Sequence, residues 1–290
     1  MLSLHTNVAA LSAQKSLSNT QSTLSTSMTR LSTGYRINSA MDDSAGLQIA
    51  TRLKTQTSGM QVAMRNTQNS ISMLQTAEGA LDESSNILNR MKDLATQAAD
   101  GSSTDEDKTA MQAEFDSLGA ELGNIFSNTK FGGTALLSKD GKLSKEITFQ
   151  IGADKSETLG ADFSTKQSTA STSITTATAM FKDDGSAGVA GTELTADGTA
   201  NTAIDNLTTA INDVAALRSQ LGAVSNRLDH VNSNLSNIST NTKAATGRIM
   251  DVDFATESAS MTSNQMLLQA GTAMLKQSNS QSSLVMSLLQ

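Results

Sequence analysis

Few of the reactive side chains in this sequence are spaced to do chemistry. The two histidines, His5 and His230, lie far apart, and no H-E-x-x-H string sets either beside a general base, so a zinc hydrolase has no ligand set. A lone histidine near a helix seam reads as structural. Cysteine is absent, which excludes a disulfide framework, a thiolate metal site and a sulfur nucleophile. The nucleophile elbow G-x-S-x-G, the phosphate loop G-x-x-x-x-G-K-[ST] and the dinucleotide fingerprint G-x-G-x-x-G are missing as well. Asp140, Asp183 and Asp184 would suit calcium only at the spacing of an EF-hand loop, which they do not follow, and they read as solvated loop carboxylates. The residues assign no catalysis, no metal and no cofactor.

The elements that would hold such residues are more legible. The chain has 290 residues, room for one or two domains of ~100–200 residues each. It contains no proline where an average chain has ~5%, so nothing interrupts long helices. Aromatics make up 3% and Trp is absent, which disfavours a sandwich core or a base-stacking platform. With a net charge of -7 and no run of Lys and Arg, a phosphate footprint is lacking and no nucleic-acid partner is expected. No stretch reaches the ~18 apolar residues of a membrane span, so no membrane partner is expected. The first residues, MLSLHTNVAALSAQKSLSNTQ, lack a basic region and an unbroken apolar run. The expectation is a chain that stays inside the cell or leaves by a route other than Sec.

Heptad spacing is clearest late in the chain. Leu207, Val214, Leu221, Leu228, Leu235 and Ile249 recur in steps of seven, broken at Thr242, and Leu217, Val224, Val231, Ile238, Ala245 and Val252 keep a companion phase. Together they predict a helix with a 3,4 seam, ~70 Å long at ~1.5 Å per residue. Ser44 to Ala99 is a segment of similar length, with Leu53, Met60, Thr67, Leu74, Leu81, Leu88 and Ala95 in one phase and Ala63, Ala77, Met91 and Ala98 in the other. Ser44, Asp42 or Asp43 caps its start, and Asp100, Gly101, Ser102 and Ser103 end it. Gly46, Gly59 and Gly79 each weaken it by ~1 kcal/mol relative to Ala, and they mark either close approach or simple tolerance. Thr104 to Asn128 reads as a third helix with Asp105, Glu106 and Asp107 in its first turn, where the helix dipole favours them. Phe131, Gly132 and Gly133 signal a turn, and Ile147 to Ile151 a strand, so a hairpin is predicted. Residues 164–200, rich in Ser, Thr, Ala and Gly, read as a small variable subdomain or ordered loop.

Both chain ends are amphipathic almost without charge. Lys15 is the one charged residue from Met1 to Thr29, and Lys276 the one from Ser258 to Gln290. Leu4, Val8, Leu11, Leu17, Leu24, Met28 and Leu31 keep helical spacing at the front, and Met261, Leu268, Leu275, Leu284 and Leu288 at the back. Such surfaces carry no like charges to repel copies of themselves and suit dense self-packing. The alternative is a pair of frayed tails, since short isolated helices are marginal in water.

Several segments resemble bacterial flagellin. Leu31-Ser32-Thr33-Gly34-Tyr35-Arg36-Ile37-Asn38-Ser39-Ala40 followed by Asp42-Asp43-Ser44-Ala45-Gly46 is similar to the family signature L-S-[ST]-G-x-R-I-N-x-A-x-D-D-[AS]-A-G. Gln75 to Leu81, Asn89 to Ala95, Leu217 to Val224 with Asn226-Arg227-Leu228, Asp253 to Glu257, and Gln269 to Thr272 resemble the family's rod and tail segments. The resemblance covers residues 1–160 and 201–290. The last helix lacks the proline that flagellins often carry before the closing leucines.

The resemblance implies a mainly α fold in which long antiparallel coiled-coil helices pair from both chain ends, with a small β-hairpin region and a short central outer segment. It divides the chain into a terminal coiled coil (1–42 with 251–290), a helical rod with hairpin (43–163 with 201–250) and a variable outer segment (164–200), a short form similar to lateral or swarming flagellins. It implies a structural subunit, not an enzyme, exported without a cleaved Sec signal and polymerised into the extracellular flagellar filament that drives motility. The implied partners are further copies of itself, the filament cap, junction proteins, the export apparatus with an export chaperone, and Toll-like receptor 5. Leu4, Val8, Leu11, Leu24, Leu31, Leu268, Leu275, Leu284 and Leu288 are the expected self-assembly residues. Arg36, Asp42 and Asp43 are expected at a hinge with charge pairs to neighbouring subunits, or as helix caps. Arg90, Leu94 and Glu114 match the family's receptor-binding positions. A hook-filament junction protein and a secreted coiled-coil adhesin or translocator are the alternatives.

Overall fold

The computed structural model describes residues 7–186, 188–196 and 198–288, the last eight as backbone alone. In chain order the elements are α1 (Val8–Thr33), α2 (Ser44–Ala98), α3 (Asp105–Asn128), β1 (Lys130–Phe131), β2 (Thr134–Ala135), β3 (Glu146–Gln150), β4 (Thr158–Asp162), α4 (Ser164–Ala177), α5 (Thr199–Met250) and α6 (Phe254–Leu288). The chain divides into two compact units, residues 1–57 with 240–290 and residues 58–239. Among the described residues no helix is long and apolar enough to cross a membrane.

Unit 58–239 holds one extended apolar core drawn from α2, α3, α4, α5 and the strands. Leu207, Val214, Leu217, Leu221 and Leu228 of α5 are buried in the predicted seam. Further along, the seam drifts. Ile238 is exposed and Ser239 is buried in its place, because a straight helix at 3.6 residues per turn slips behind a strict seven-residue repeat. On α2 the buried face widens from one column to two, taking Met73 with Leu74, Ile87 with Leu88 and Leu94 with Ala95. Arg218 of α5 joins α2 beside this core, its Nη2 2.8 Å from Glu78 and 2.8 Å from Asp82.

Local chemistry sets the ends of α3 and the turns that follow. Thr104 Oγ1 accepts from the Asp107 amide at 3.2 Å while the Thr104 amide donates to the Asp107 carboxylate at 3.1 Å, a reciprocal box that satisfies two end groups. Beyond α3, β1 and β2 join through Gly132 and Gly133, whose φ values of +57° and +80° are those of a two-residue hairpin turn. A second hairpin pairs Glu146 with Asp162 through to Gln150 with Thr158; its return strand β4 has no counterpart in the sequence reading. The loop of this hairpin lies against α2, where a Cβ on Gly59 would come 2.7 Å from Ala153 Cβ. Gly59 therefore marks close approach, whereas Gly79 has open space around it and is merely tolerated.

The weak periodicity of residues 164–200 conceals a helix. Ala170, Ile174 and Ala177 of α4 and the flanking Phe163, Phe181 and Leu194 are buried in the rod core, with Phe126 and Phe181 stacked edge to face at 5.2 Å. Buried Gln112 of α3 accepts from the Leu194 amide at 2.8 Å and donates to Glu193 at 2.9 Å. The central segment is thus anchored to the helices on either side of it in sequence, although it has no core of its own.

Candidate assembly surface

In the unit built from residues 1–57 and 240–290, α1 and α6 run antiparallel along each other. Asn7 Nδ2 donates to the Ser278 carbonyl at 3.2 Å at one end, and Arg30 lies 3.8 Å from Glu257 at the other. Between them a Cβ on Gly271 would meet Leu17 Cδ1 at 2.9 Å, so the helices approach closely there. The covered positions of α1 are Ala10, Ala13, Leu17, Thr20, Leu24, Ser27 and Leu31; those of α6 are Glu257, Met261, Asn264, Leu268, Gly271, Leu275 and Ser278. Both sets follow 3,4 spacing, the signature of a coiled-coil seam. The hydroxyls of Thr20, Thr23, Thr26, Thr29 and Thr33 each donate to the carbonyl four residues back, at 2.9 to 3.1 Å. A hydroxyl held by its own helix leaves its methyl group to the surroundings, so α1 is less polar than its composition suggests.

The expected assembly residues do not share one face. Leu24 is buried, and Leu31, Leu268 and Leu275 are half-buried in the α1–α6 seam. Val8 and Leu11 are exposed, and their positions nine and six residues ahead of Leu17, about half and a third of a turn round the helix at 3.6 residues per turn, put them off the face of α1 that meets α6. Leu4 and His5 lie outside the described residues; Leu284 and Leu288 belong to the α6 backbone, their side chains outside the described set. The structure adds Met28, Phe254, Met266, Leu267 and Met274 as exposed apolar residues. The seven-residue step from Leu267 to Met274 was the available signal for the last pair, and the stronger Leu268–Leu275 phase masked it.

The segment between α1 and α2 closes on the end of α5. Arg36 donates from its amide to the Met250 carbonyl at 2.6 Å and from Nη2 to the Ile249 carbonyl at 2.9 Å, while Val252 donates to Gly34 at 3.0 Å. Arg36 thus bonds to carbonyls of its own chain. Asp42 accepts from the Ser39 and Asn38 amides at 2.9 and 3.0 Å. These backbone bonds, with the Ser39 hydroxyl and the Arg30 charge, hold its carboxyl below the ordinary aspartate range. Asp43 accepts from the Gly46 amide at 2.8 Å and is the N-cap of α2. Asp253 stands before α6 in a similar way, its carboxyl lowered first by the Thr256 hydroxyl and then by the Ala255 amide. Arg30, 3.9 Å from Asp42, is the junction residue that the sequence reading missed.

On the rod, Glu114 Oε1 accepts from Arg90 Nε at 2.9 Å and Nη2 at 2.7 Å, bridging α3 and α2 at the surface. Leu94, one turn along α2, is only 3% exposed and packs in the rod core. His230 is exposed on α5. Asp183 and Asp184 accept from the Ser171 and Ser186 hydroxyls, and among the described residues no group of three His, Cys, Asp or Glu side chains gathers to hold a metal.

Comparison with known proteins gives these surfaces a context. The bacterial flagellin N-terminal helical region matches residues 4–142 and the C-terminal helical region matches residues 204–289. B-type flagellin of Pseudomonas aeruginosa is 49% identical over 170 residues, 59% of this chain and 34% of the relative. Flagellin D of Vibrio cholerae is 48% identical over 158 residues, 54% of this chain and 41% of the relative. The matched stretch thus spans less than half the length of either curated relative. Among solved structures, Bacillus cereus flagellin shares 33% identity over 63% of this chain and 94% of that one, with a TM-score of 0.47. A flagellar hook-associated protein from Vibrio parahaemolyticus, 16% identical with a TM-score of 0.56 over 72% of this chain and all of that one (100%), shares the fold alone. With both helical regions matched, from residue 4 to 142 and from 204 to 289, the chain belongs to the bacterial flagellin family.

Proposed function

We propose that this chain is a structural subunit of the flagellar filament, a helical homopolymer outside the cell that acts as a propeller. The observation that carries the reading is the terminal helix pair. It is nearly free of charge, and Val8, Leu11, Met266, Leu267 and Met274 project from it without cover in the single chain, a set of apolar side chains that copies of the chain would bury against one another. Export by a route other than Sec, handling by an export chaperone, folding beneath a filament cap and attachment through junction proteins belong to the same reading. The Arg90–Glu114 pair is the surface that Toll-like receptor 5 would meet, with Leu94 in the rod core one turn along α2. Arg36 and Asp43 serve the hinge by fixing how α1 leads into α2, and a neighbouring subunit would have to share Asp42 Oδ1 with Arg30, which lies 3.9 Å from it.

The test is seeded growth. Full-length monomer mixed with short filament seeds is followed by sedimentation and negative-stain electron microscopy, beside a chain lacking residues 1–30. Long filaments from the full chain alone support the subunit reading. Failure of both to extend seeds, with binding to isolated hook ends instead, would move the assignment to a junction protein.

A further inference from the structure

The sequence contains 14 methionines, no cysteine and no tryptophan, so thioethers are the sulfur groups an oxidant meets in this chain. Their distribution is uneven. Met60, Met73, Met91 and Met111 are buried in the unit formed by residues 58–239, while Met28, Met41, Met266 and Met274, exposed by 54 to 97%, all belong to the other unit. Three of these exposed residues, Met28 on α1 and Met266 and Met274 on α6, sit on the terminal helix pair; Met41 lies in the connector before α2. Among the described residues four core thioethers are therefore covered, while three of the four most exposed ones stand on the helices with which the chain would bind its own copies.

We propose that Met28, Met266 and Met274 are oxidation sites that control self-association, their sulfoxides keeping the free chain from assembling. The inference rests on the filament reading above. The oxidant class is a two-electron oxidant that delivers an oxygen atom, such as hypochlorous acid. The thioether sulfur gains one oxygen and loses two electrons, the chlorine of hypochlorous acid takes them and leaves as chloride, and a proton is released. The product replaces an apolar, flexible side chain with a strong S=O dipole. In the free chain that dipole stays hydrated, so the helices persist. On assembly it would be stripped of water without a partner, and once assembled the packed thioethers would be shielded from the oxidant.

The test uses the full chain treated with hypochlorous acid until peptide mass spectrometry finds sulfoxide at Met28, Met266 and Met274 and not at Met91, then quenched. Circular dichroism is expected to be unchanged, and the critical concentration for seed extension to rise about tenfold or more. Methionine sulfoxide reductases acting on both epimers restore it, and filaments treated after assembly keep these three residues reduced. Met41→Leu responds to oxidant like the parent, whereas the combined Met28→Leu, Met266→Leu and Met274→Leu chain, compared with itself untreated, does not respond. Oxidised chain that extends seeds at the untreated critical concentration overturns the proposal, as does a triple variant that loses as much as the parent. Untreated chain that fails to extend seeds instead refutes the filament reading, and this inference with it.

Discussion

Leu11 and Leu275 lie in corresponding tails yet face different partners, and an aspartate at each separates assembly from folding. Leu11 is 62% exposed in the single chain, so an aspartate there costs the free helix no more than the ~0.7 kcal/mol by which ordinary residues differ in helix propensity. Full burial of a leucine contributes ~1.5–3 kcal/mol. Covering the exposed 62% of Leu11 is then worth ~1–2 kcal/mol per subunit on that scale. Leu11→Ala should raise the critical concentration roughly 5- to 30-fold, each 1.4 kcal/mol being about tenfold. Leu11→Asp adds the desolvation of a carboxylate, which costs several kcal/mol more or forces its protonation, and should abolish seed extension. Leu275 is half-buried opposite α1, so Leu275→Asp should damage the α1–α6 pair before any partner arrives. Sedimentation against concentration reads assembly, and circular dichroism with thermal melting reads the pair. Leu11→Asp chain that assembles at the parent's critical concentration, or that loses as much helix as Leu275→Asp, would refute the reasoning.

Leu94→Ala should destabilise the rod by ~2–5 kcal/mol, the usual cost of emptying a core leucine, and lower receptor signalling with it, whereas Arg90→Ala should lower signalling at unchanged melting temperature; a Toll-like receptor 5 reporter beside calorimetry checks both. Asp43→Ala should cost ~1 kcal/mol through loss of the α2 N-cap, seen as a lower denaturation midpoint, while Asp43→Asn retains most of it. Asp42, Asp107 and Asp253 have carboxyls held below the ordinary range by hydrogen bonds in the folded chain. As pH falls the unfolded chain therefore takes up their protons first: their stabilisation is complete above about pH 4 and fades as pH drops through the lowered folded values. Urea titrations from pH 7 to 2 should show that loss, with a shallower slope in Asp42→Asn. Native-state hydrogen exchange should find the α1 and α6 amides opening well before those in the middle of α2 and α5; equal protection in all four helices would contradict the burial pattern.

Legibility followed periodicity. The long helices were readable because the absence of proline and a repeated apolar phase agree over many turns; the predicted seam fails where Ser239 replaces Ile238 through accumulated drift and at Val252, which lies past the end of α5 at Met250. Strand β4, Thr-Leu-Gly-Ala-Asp, and helix α4 were not. Five residues with a central glycine carry little strand signal, and α4 buries Ala170 and Ala177 beside Ile174, residues too small to stand out from a Ser- and Thr-rich background. At the surface the limit was different. Residue types at Val8, Leu11 and Leu24 are alike, and only the helix pairing decides that Leu24 faces α6 while the other two do not. Leu94 likewise matched a recognition motif by position, and its burial depends on α2 being covered along two adjacent columns.

The contrast between the two units gives the assembly reading its physical basis. Among the described residues, Leu24, Ile37 and Ala50 are the three apolar side chains fully buried in the unit of residues 1–57 and 240–290, although its helices fix dozens of residues at ~1–2 kcal/mol of backbone entropy each. A seam so thinly covered cannot offset that entropy by a wide margin, whereas the rod, with Phe115, Phe126, Phe163 and Phe181 fully enclosed, can. The outer face of the pair carries almost no charge: the threonine hydroxyls of α1 turn inward to their own helix, and Val8, Leu11, Met28, Phe254, Met266, Leu267 and Met274 stand exposed among uncharged polar residues. On the filament reading, other chains would supply the burial this pair lacks, so its ordering and its polymerisation would be parts of one equilibrium, and substitutions on its outer face should act on the polymer while leaving the rod untouched.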